Sequence, residues 1–194
     1  MSQRTANADE KVDRQALILE AVVSLLSRHG ISGLSMRAVA REAGVALGLV
    51  NYYYADKISL IRAALRRIEE EDVAMVEPDP AKSPDERLRT ALRRVAGPEY
   101  LTTEYLSRRL QLWALAHAHE DFAAINTEAQ NRYRAGLAAL IRAARPELSA
   151  AECKRRALDI VVLQNGMWLT ALLGLDRASI RRSVARCEEI ALAD

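Results

Sequence analysis

Cysteine is nearly missing from this 194-residue chain, which has two, Cys153 and Cys187. Two isolated thiols without CxxC spacing support neither a disulfide framework nor a zinc site, and they suit a reducing cytoplasm. Proline is scarce as well, with five residues, and aromatics make up only 5%. With so few breakers, and with Ile160-Val161-Val162 as the main β-branched run, the chain reads as all-α. No apolar stretch reaches the ~18 residues that span a membrane. The polar start MSQRTANADEKVDRQ has no apolar signal core. A soluble cytoplasmic protein with no membrane partner is expected. An excess of one charge is also lacking: 28 Lys and Arg against 26 Asp and Glu leave a formal +2. Any nucleic-acid contact must then come from a local patch. Signatures of catalysis are missing too. There is no GxSxG, P-loop or glycine-rich nucleotide fingerprint, and His117 and His119, two apart, neither share a helix face nor form HExxH. The reading is of a non-enzyme without catalytic residues, metal or cofactor.

What the chain does have is helical periodicity with clear punctuation. After a frayed polar arm (1–10), a first helix is predicted from about Asp9 to Arg28, with Leu17, Ala21, Val22, Leu25 and Leu26 as its apolar stripe. Gly30 supplies a left-handed stop. Ser35 is the natural N-cap of a second helix through Ala43. Gly44 permits a sharp turn, and Leu47–Tyr53 form the third helix. Asp56 caps a fourth that carries Ile58, Ile61, Leu65 and Ile68 and fades into the acidic run Glu69-Glu70-Glu71-Asp72. A linker, EPDPAKSPDE (77–86), follows. Helical patterns then run over about 85–97, 100–119, 122–144, 149–174 and 177–192, with breaks at Gly97-Pro98, near Asp121, at Arg145-Pro146 and around Gly174-Leu175-Asp176. About nine helices result. They divide into a three-helix head (1–55) and a larger helical body for ligand sensing and dimerisation (56–194).

Residues 35–54 have the form of a helix-turn-helix, whose second helix enters the DNA major groove. Val39 and Ala40 face helix one, Val45 lies beneath the turn, and Val50 is the buried side of the reading helix. Small Ala46 and Gly48 keep that helix narrow. Leu47, Gly48, Asn51 and Tyr52 then face outward, where Asn can bond adenine and Leu can meet a thymine methyl. Phosphate contacts are expected from Ser35, Arg37, Tyr53 and Lys57, whereas Tyr54 packs the head onto helix four. Between Arg28 and Lys57, four basic residues (Arg28, Arg37, Arg41, Lys57) face two acids (Glu42, Asp56). So modest a charge makes one head bind weakly, and a dimer reading two half-sites of double-stranded operator DNA, ~34–36 Å apart, is expected.

The pattern Ile18…Ala21…Leu25…Gly30…Leu34-Ser35-Met36…Val39-Ala40…Ala43-Gly44-Val45…Gly48…Tyr53-Tyr54…Lys57…Leu60 resembles the head of the tetracycline-repressor (TetR) family. The resemblance implies a transcriptional regulator that dimerises through its last two long helices. Three positions depart from the family's habit: Ala46 stands for a capping Ser, Asn51 for Tyr and Tyr54 for Phe, so the operator cannot be copied from relatives. Asn165-Gly166-Met167-Trp168-Leu169, Leu110-Gln111-Leu112-Trp113-Ala114-Leu115-Ala116 and the head's Asn51-Tyr52-Tyr53-Tyr54 are more loosely similar to the choline-responsive betaine-regulator (BetI) subgroup.

The body supplies a seam and a pocket. Residues 157–175 are apolar around nearly the whole helix. The next helix is amphipathic, with Ile180, Val184, Cys187 and Ile190 or Ala191 on one stripe. A homodimer through about 157–192 follows, as a four-helix interface. The arginines of 142–156 and 177–186 read as solvated faces. Polar and aromatic residues that interrupt apolar faces, Tyr105, Trp113, His117, Phe122, Asn126, Tyr133, Gln164 and Trp168, are the candidate contacts of an unidentified small-molecule effector. The reading is a ligand-released homodimeric repressor. Its alternatives are an activator or ligand-independent regulator of the same fold, and a helical small-molecule-binding or interaction protein without DNA.

Overall fold

The computed structural model describes the backbone of residues 2–174 and 176–193, and side chains within those spans from residue 14 onward. Among the described residues, helices α1 (Ser2–His29), α2 (Met36–Glu42), α3 (Leu47–Tyr53), α4 (Lys57–Val73), α5 (Pro84–Arg94), α6 (Thr103–Ala118), α7 (Glu120–Ala144), α8 (Ala150–Leu172) and α9 (Arg177–Leu192) account for the fold, with short 3-10 turns at Ile31–Gly33 and Ala74–Val76. No strand occurs among them. None of these helices is long and apolar enough to cross a membrane.

The caps expected from sequence close as hydrogen bonds. Ser35 Oγ accepts the Ala38 N–H at 3.1 Å. Asp56 and Ser59 form a reciprocal capping box at the start of α4, the Ser59 N–H reaching Asp56 Oδ1 at 2.7 Å. Such a cap contributes about 1 kcal/mol. α1 begins earlier than expected, at Ser2 rather than Asp9. Residues 2–29 contain no glycine or proline, so nothing stops the helix before Gly30 (φ 62°). Met1, at the tip of the expected frayed arm, lies outside the described residues.

Two apolar clusters organise the molecule. The head-side cluster joins Ile18, Val22 and Leu26 of α1 to Val39, Val50, Leu60, Ile61 and Leu65. It also takes in Leu112 and Leu115 of α6 and Phe122 and Ile125 of α7. The body cluster is built around Leu88, Leu92, Leu137, Ile141, Ile160 and Cys187. α4 and α6 cross from one cluster to the other. α4 holds Leu60 and Ile61 in the head side and ends beside Met75 and Val76, while α6 has Tyr105 and Leu106 in the body and Leu112 in the head side.

Several sequence expectations shift by one helical position. Leu17 is 47% exposed, and its neighbour Ile18 takes the buried place on α1. Ile58 is exposed on α4, whose buried face is Leu60, Ile61, Ala64, Leu65 and Ile68. Leu17 and Ile18 differ by 100° around α1, and the stripe takes Ile18, whereas Ile58 lies on the first turn of α4, at the rim of its stripe. Val45 is half-buried rather than enclosed. The acidic run does not fade into solvent either: α4 continues to Val73, with Glu69 and Asp72 buried.

Candidate nucleic-acid interface and buried polar core

The turn between α2 and α3 rests on Gly44 at φ 66°, a backbone conformation a β-carbon would strain. The Val45 N–H then closes on the Ala40 carbonyl at 2.9 Å. Val39, Ala40 and Val50 are buried beneath this motif. α3 consequently turns Gly48, Asn51 and Tyr52 to solvent, with Tyr52 73% exposed and Leu47 half-buried beside them. α3 starts at Ala46 without a side-chain cap. Tyr54 is buried, as expected of a packing residue, and Tyr53 is half-buried, with its ring edge-on to Tyr52 at 5.1 Å.

Of the expected phosphate contacts, Ser35 and Arg37 are exposed on α2's first turn. Lys57 is tied down: its Nζ donates to the Ile31 carbonyl at 2.8 Å, binding the first turn of α4 to the turn after α1. An ammonium has three donors, so two remain for DNA. Arg28 is neutralised by Glu42, which also accepts from Ser24 at 3.1 Å. This bonding holds the Glu42 carboxyl below the usual carboxylate range, the Arg28 bond contributing most. The free positive charge of one head is therefore smaller still than the residue count suggests.

In the body, five of the eight expected effector contacts converge. Tyr105 on α6 donates to Asp72 Oδ1 of α4 at 2.5 Å. Arg109, one turn further along α6, pairs with the other oxygen of Asp72 and is itself buried. Its guanidinium lies over the Trp168 ring at 4.2 Å and the Trp113 ring at 5.3 Å. On α8, Trp168 Nε1 donates to the Val95 carbonyl at 2.8 Å, and Gln164, one turn earlier, accepts from the Tyr133 hydroxyl at 3.0 Å. Burial raises both tyrosine hydroxyls above their ordinary pKa, so they act here as donors. Glu69, one turn before Asp72 on α4, is buried. Burial first, and the negative charge of Asp72 second, push its carboxyl up to about 7, against the pull of Arg109. It borders a cleft of about 100 Å³ shared with Arg66, Glu70, Glu128 and Arg132.

This core is closed. The crevice beside Arg109, between Leu106, Trp113, Trp168 and Leu169, measures about 10 Å³, room for one water at most. Two buried donors, Arg109 Nε and Gln164 Nε2, have no hydrogen-bond partner among the described residues. The other three expected contacts lie elsewhere. His117 is exposed near the end of α6, where the helix runs out into solvent. Phe122 belongs to the head-side cluster, and Asn126, one turn along α7, is half-buried with its Oδ1 unpartnered among the described residues. Sequence reasoning missed Glu69, Asp72 and Arg109. Their signal was placement: 61, 65, 68 and 72 continue one face of α4, and 105, 109 and 113 one face of α6.

α8 is less enclosed within the chain than its composition suggests. Leu158, Val162, Leu169 and Leu173 stand 44–78% exposed on one face, with Gly166 between them and open space where its β-carbon would be. Leu175, the end of the expected seam, lies outside the described residues. Nor are the body's arginines simply solvated. Arg156 is buried, pairs with Glu152 at 2.7 Å and bonds the Ala193 carbonyl at 2.7 Å.

A helix-turn-helix carried on a helical body is the architecture of a DNA-binding transcriptional regulator. The chain matches the bacterial regulatory proteins of the tetR family over residues 18–64, and the C-terminal domain of BetI-type transcriptional repressors over 84–192. It belongs to the TetR family, with a body of the BetI type. The HTH-type transcriptional regulator BetI of Rhizobium meliloti (strain 1021) is 26% identical over 184 residues, covering 93% of this chain and 88% of the relative. The HTH-type transcriptional repressor KstR of Rhodococcus jostii (strain RHA1) is 30% identical over 105 residues, 53% of this chain and 50% of that one. Among solved structures, a TetR transcription regulator from Haloarcula marismortui ATCC 43049 superposes with a TM-score of 0.76 over 93% of this chain and 97% of its own, at 22% identity. The protein regulates transcription by binding DNA and is not an enzyme.

Proposed function

We propose that this regulator is a cytoplasmic homodimeric repressor released from its operator by a small molecule. The observation that carries the dimer is the uncovered apolar stripe of α8. A stripe at 158, 162, 169 and 173 spans more than four turns, which is more than a monomer's surface ordinarily leaves open. A second copy covers it with the same stripe, and Gly166 lets the two α8 backbones approach. The Val162→Glu/Leu169→Glu variant is expected to sediment as a folded monomer at concentrations where the parent is a dimer, and to lose operator affinity by at least about tenfold. An unchanged sedimentation coefficient would remove the seam from α8.

On the DNA, each head reads bases with Leu47, Gly48, Asn51 and Tyr52 and grips phosphates with Ser35, Arg37, Tyr53 and Lys57. Support for the division is the exposure of the α3 face against the peripheral position of the basic groups. Asn51→Ala should cost about 1–3 kcal/mol on the preferred operator and little on unrelated DNA. Lys57→Ala should weaken every sequence alike and flatten the slope of log affinity against log salt by about 2 per dimer, at about 0.9 for each phosphate that is no longer neutralised. It should also lower the thermal stability of the head, because the Ile31 carbonyl loses its donor. Gel-shift titrations at several salt concentrations check both variants; identical behaviour would contradict the separation of roles.

The effector reading places the ligand against Tyr105, Trp113, Tyr133, Gln164 and Trp168. The crevice there is small, so entry must displace Arg109 from Asp72 and move α4 against α6. Both helices continue into the head-side cluster, so the displacement changes head spacing. A ligand acts this way only by preferring the non-binding state.

A further inference from the structure

The far end of the body holds two arginines, Arg177 and Arg181, that stand apart from the rest. Elsewhere in the body the guanidinium groups are mostly engaged. Arg89 and Arg93 meet Glu188, Arg94 bonds the Ala74 carbonyl, and Arg186 meets Glu189. Arg177 and Arg181 have no hydrogen bond or ion pair among the described residues. They stand one turn apart on α9, and both border a cleft of about 500 Å³. Its floor is apolar: Ala96 and Leu101 from the α5–α6 connection, Ala171 from α8, and the buried Ile180. The nearby acids do not fill it. Asp176 accepts the Ser179 N–H at 2.7 Å as the cap of α9, and Glu99, on the same connection as Leu101, pairs with neither arginine.

We propose that this cleft is a second binding site, distinct from the core around Arg109, for an organic monoanion with an apolar chain, such as a medium-chain carboxylate. The two guanidinium groups on successive turns can take the two carboxylate oxygens, the strongest type of hydrogen bond available to arginine. The alkyl chain covers Ala96, Leu101, Ala171 and Ile180. The volume lies within the ordinary range for small-molecule sites, about 300–1,000 Å³. Inorganic phosphate would satisfy the arginines but leave the floor wet, so the apolar floor selects the amphipathic anion. The site also lies away from the exposed stripe of α8. Arg177 and Arg181 share a side of α9 with Glu188, which points to Arg89 and Arg93 of α5.

The test is calorimetric titration of the full-length protein with octanoate. Saturable binding at one site per protomer is expected. Octanol, which keeps the chain and loses the charge, and butyrate, which keeps the charge and loses most of the chain, should each bind at least about tenfold more weakly. Arg177→Gln/Arg181→Gln should weaken octanoate by at least about tenfold, while Arg182→Gln, whose guanidinium bonds Ser179 Oγ at 2.6 Å instead, should leave it unchanged. Ala171→Phe fills the floor with both arginines intact and should abolish binding, which separates loss of the site from misfolding of the charge variant. Parent-like binding by the double variant, equal binding of octanol, or binding by Ala171→Phe would each overturn the proposal.

Discussion

Asp72→Ala is expected to destabilise the protein by about 3–5 kcal/mol at about pH 5, because it leaves the Arg109 guanidinium buried without its carboxylate. The two indole rings soften the loss without replacing a counter-charge; a desolvated cation–π contact contributes about 2 kcal/mol at most. The cost should shrink towards about pH 8. Removing Asp72 also removes the like charge that helps keep Glu69 protonated, so Glu69 ionises and takes over part of the pairing with Arg109. Urea unfolding at the two pH values measures both effects. Replacing the whole pair, Asp72→Leu with Arg109→Met, should cost less than either single change, since no buried charge is then left alone. A cost below about 1 kcal/mol for Asp72→Ala at both pH values would mean that the pair is hydrated rather than buried.

Glu69→Gln is expected to make the protein more stable at about pH 8 than its parent, by about 2–3 kcal/mol. The carboxyl titrates near 4.5 when unfolded and near 7 in the fold, chiefly because burial disfavours its charge. Folding therefore retains a proton that the unfolded chain releases across that window. The stabilising contribution of this proton is complete below 4.5 and is lost as pH rises through 7. The parent should lose stability over this interval, whereas glutamine, neutral throughout, removes that part of the slope. At about pH 4.5 the two proteins should be nearly equal. A variant less stable than the parent at about pH 8 would show that the Glu69 carboxylate is favourably paired there, contrary to its position one turn from Asp72.

Helix identity, and the helix ends that carry a cap or a turn glycine, were legible because their causes are local. Ser35, Gly44 and Asp56 each act on backbone groups within three residues, so reading them needs no knowledge of the fold. The outward face of α3 followed from the same periodicity. The buried charges were hidden for the opposite reason. Acids are rarely buried, so four in a row read as solvated. Asp72 becomes an interior residue because Arg109, 37 positions away, arrives beside it. Trp168 from α8 then covers them. His117 failed in the other direction: its spacing from Trp113 is right, but α6 ends at Ala118, and the face that is interior at Trp113 is exterior one turn later. The choice of Ile18 over Leu17 was legible within α1: at 100° per residue Ile18 is at the centre of the stripe made by Ala21, Val22, Leu25 and Leu26, and Leu17 lies off its edge.

The chain has two tryptophans, and both rings lie against Arg109. Its entire intrinsic indole emission therefore originates at the joint between α4, α6 and α8. A guanidinium leaving those rings, or solvent reaching them, changes that emission without any label. The protein carries its own optical gauge, placed where the proposed effector-driven movement would begin.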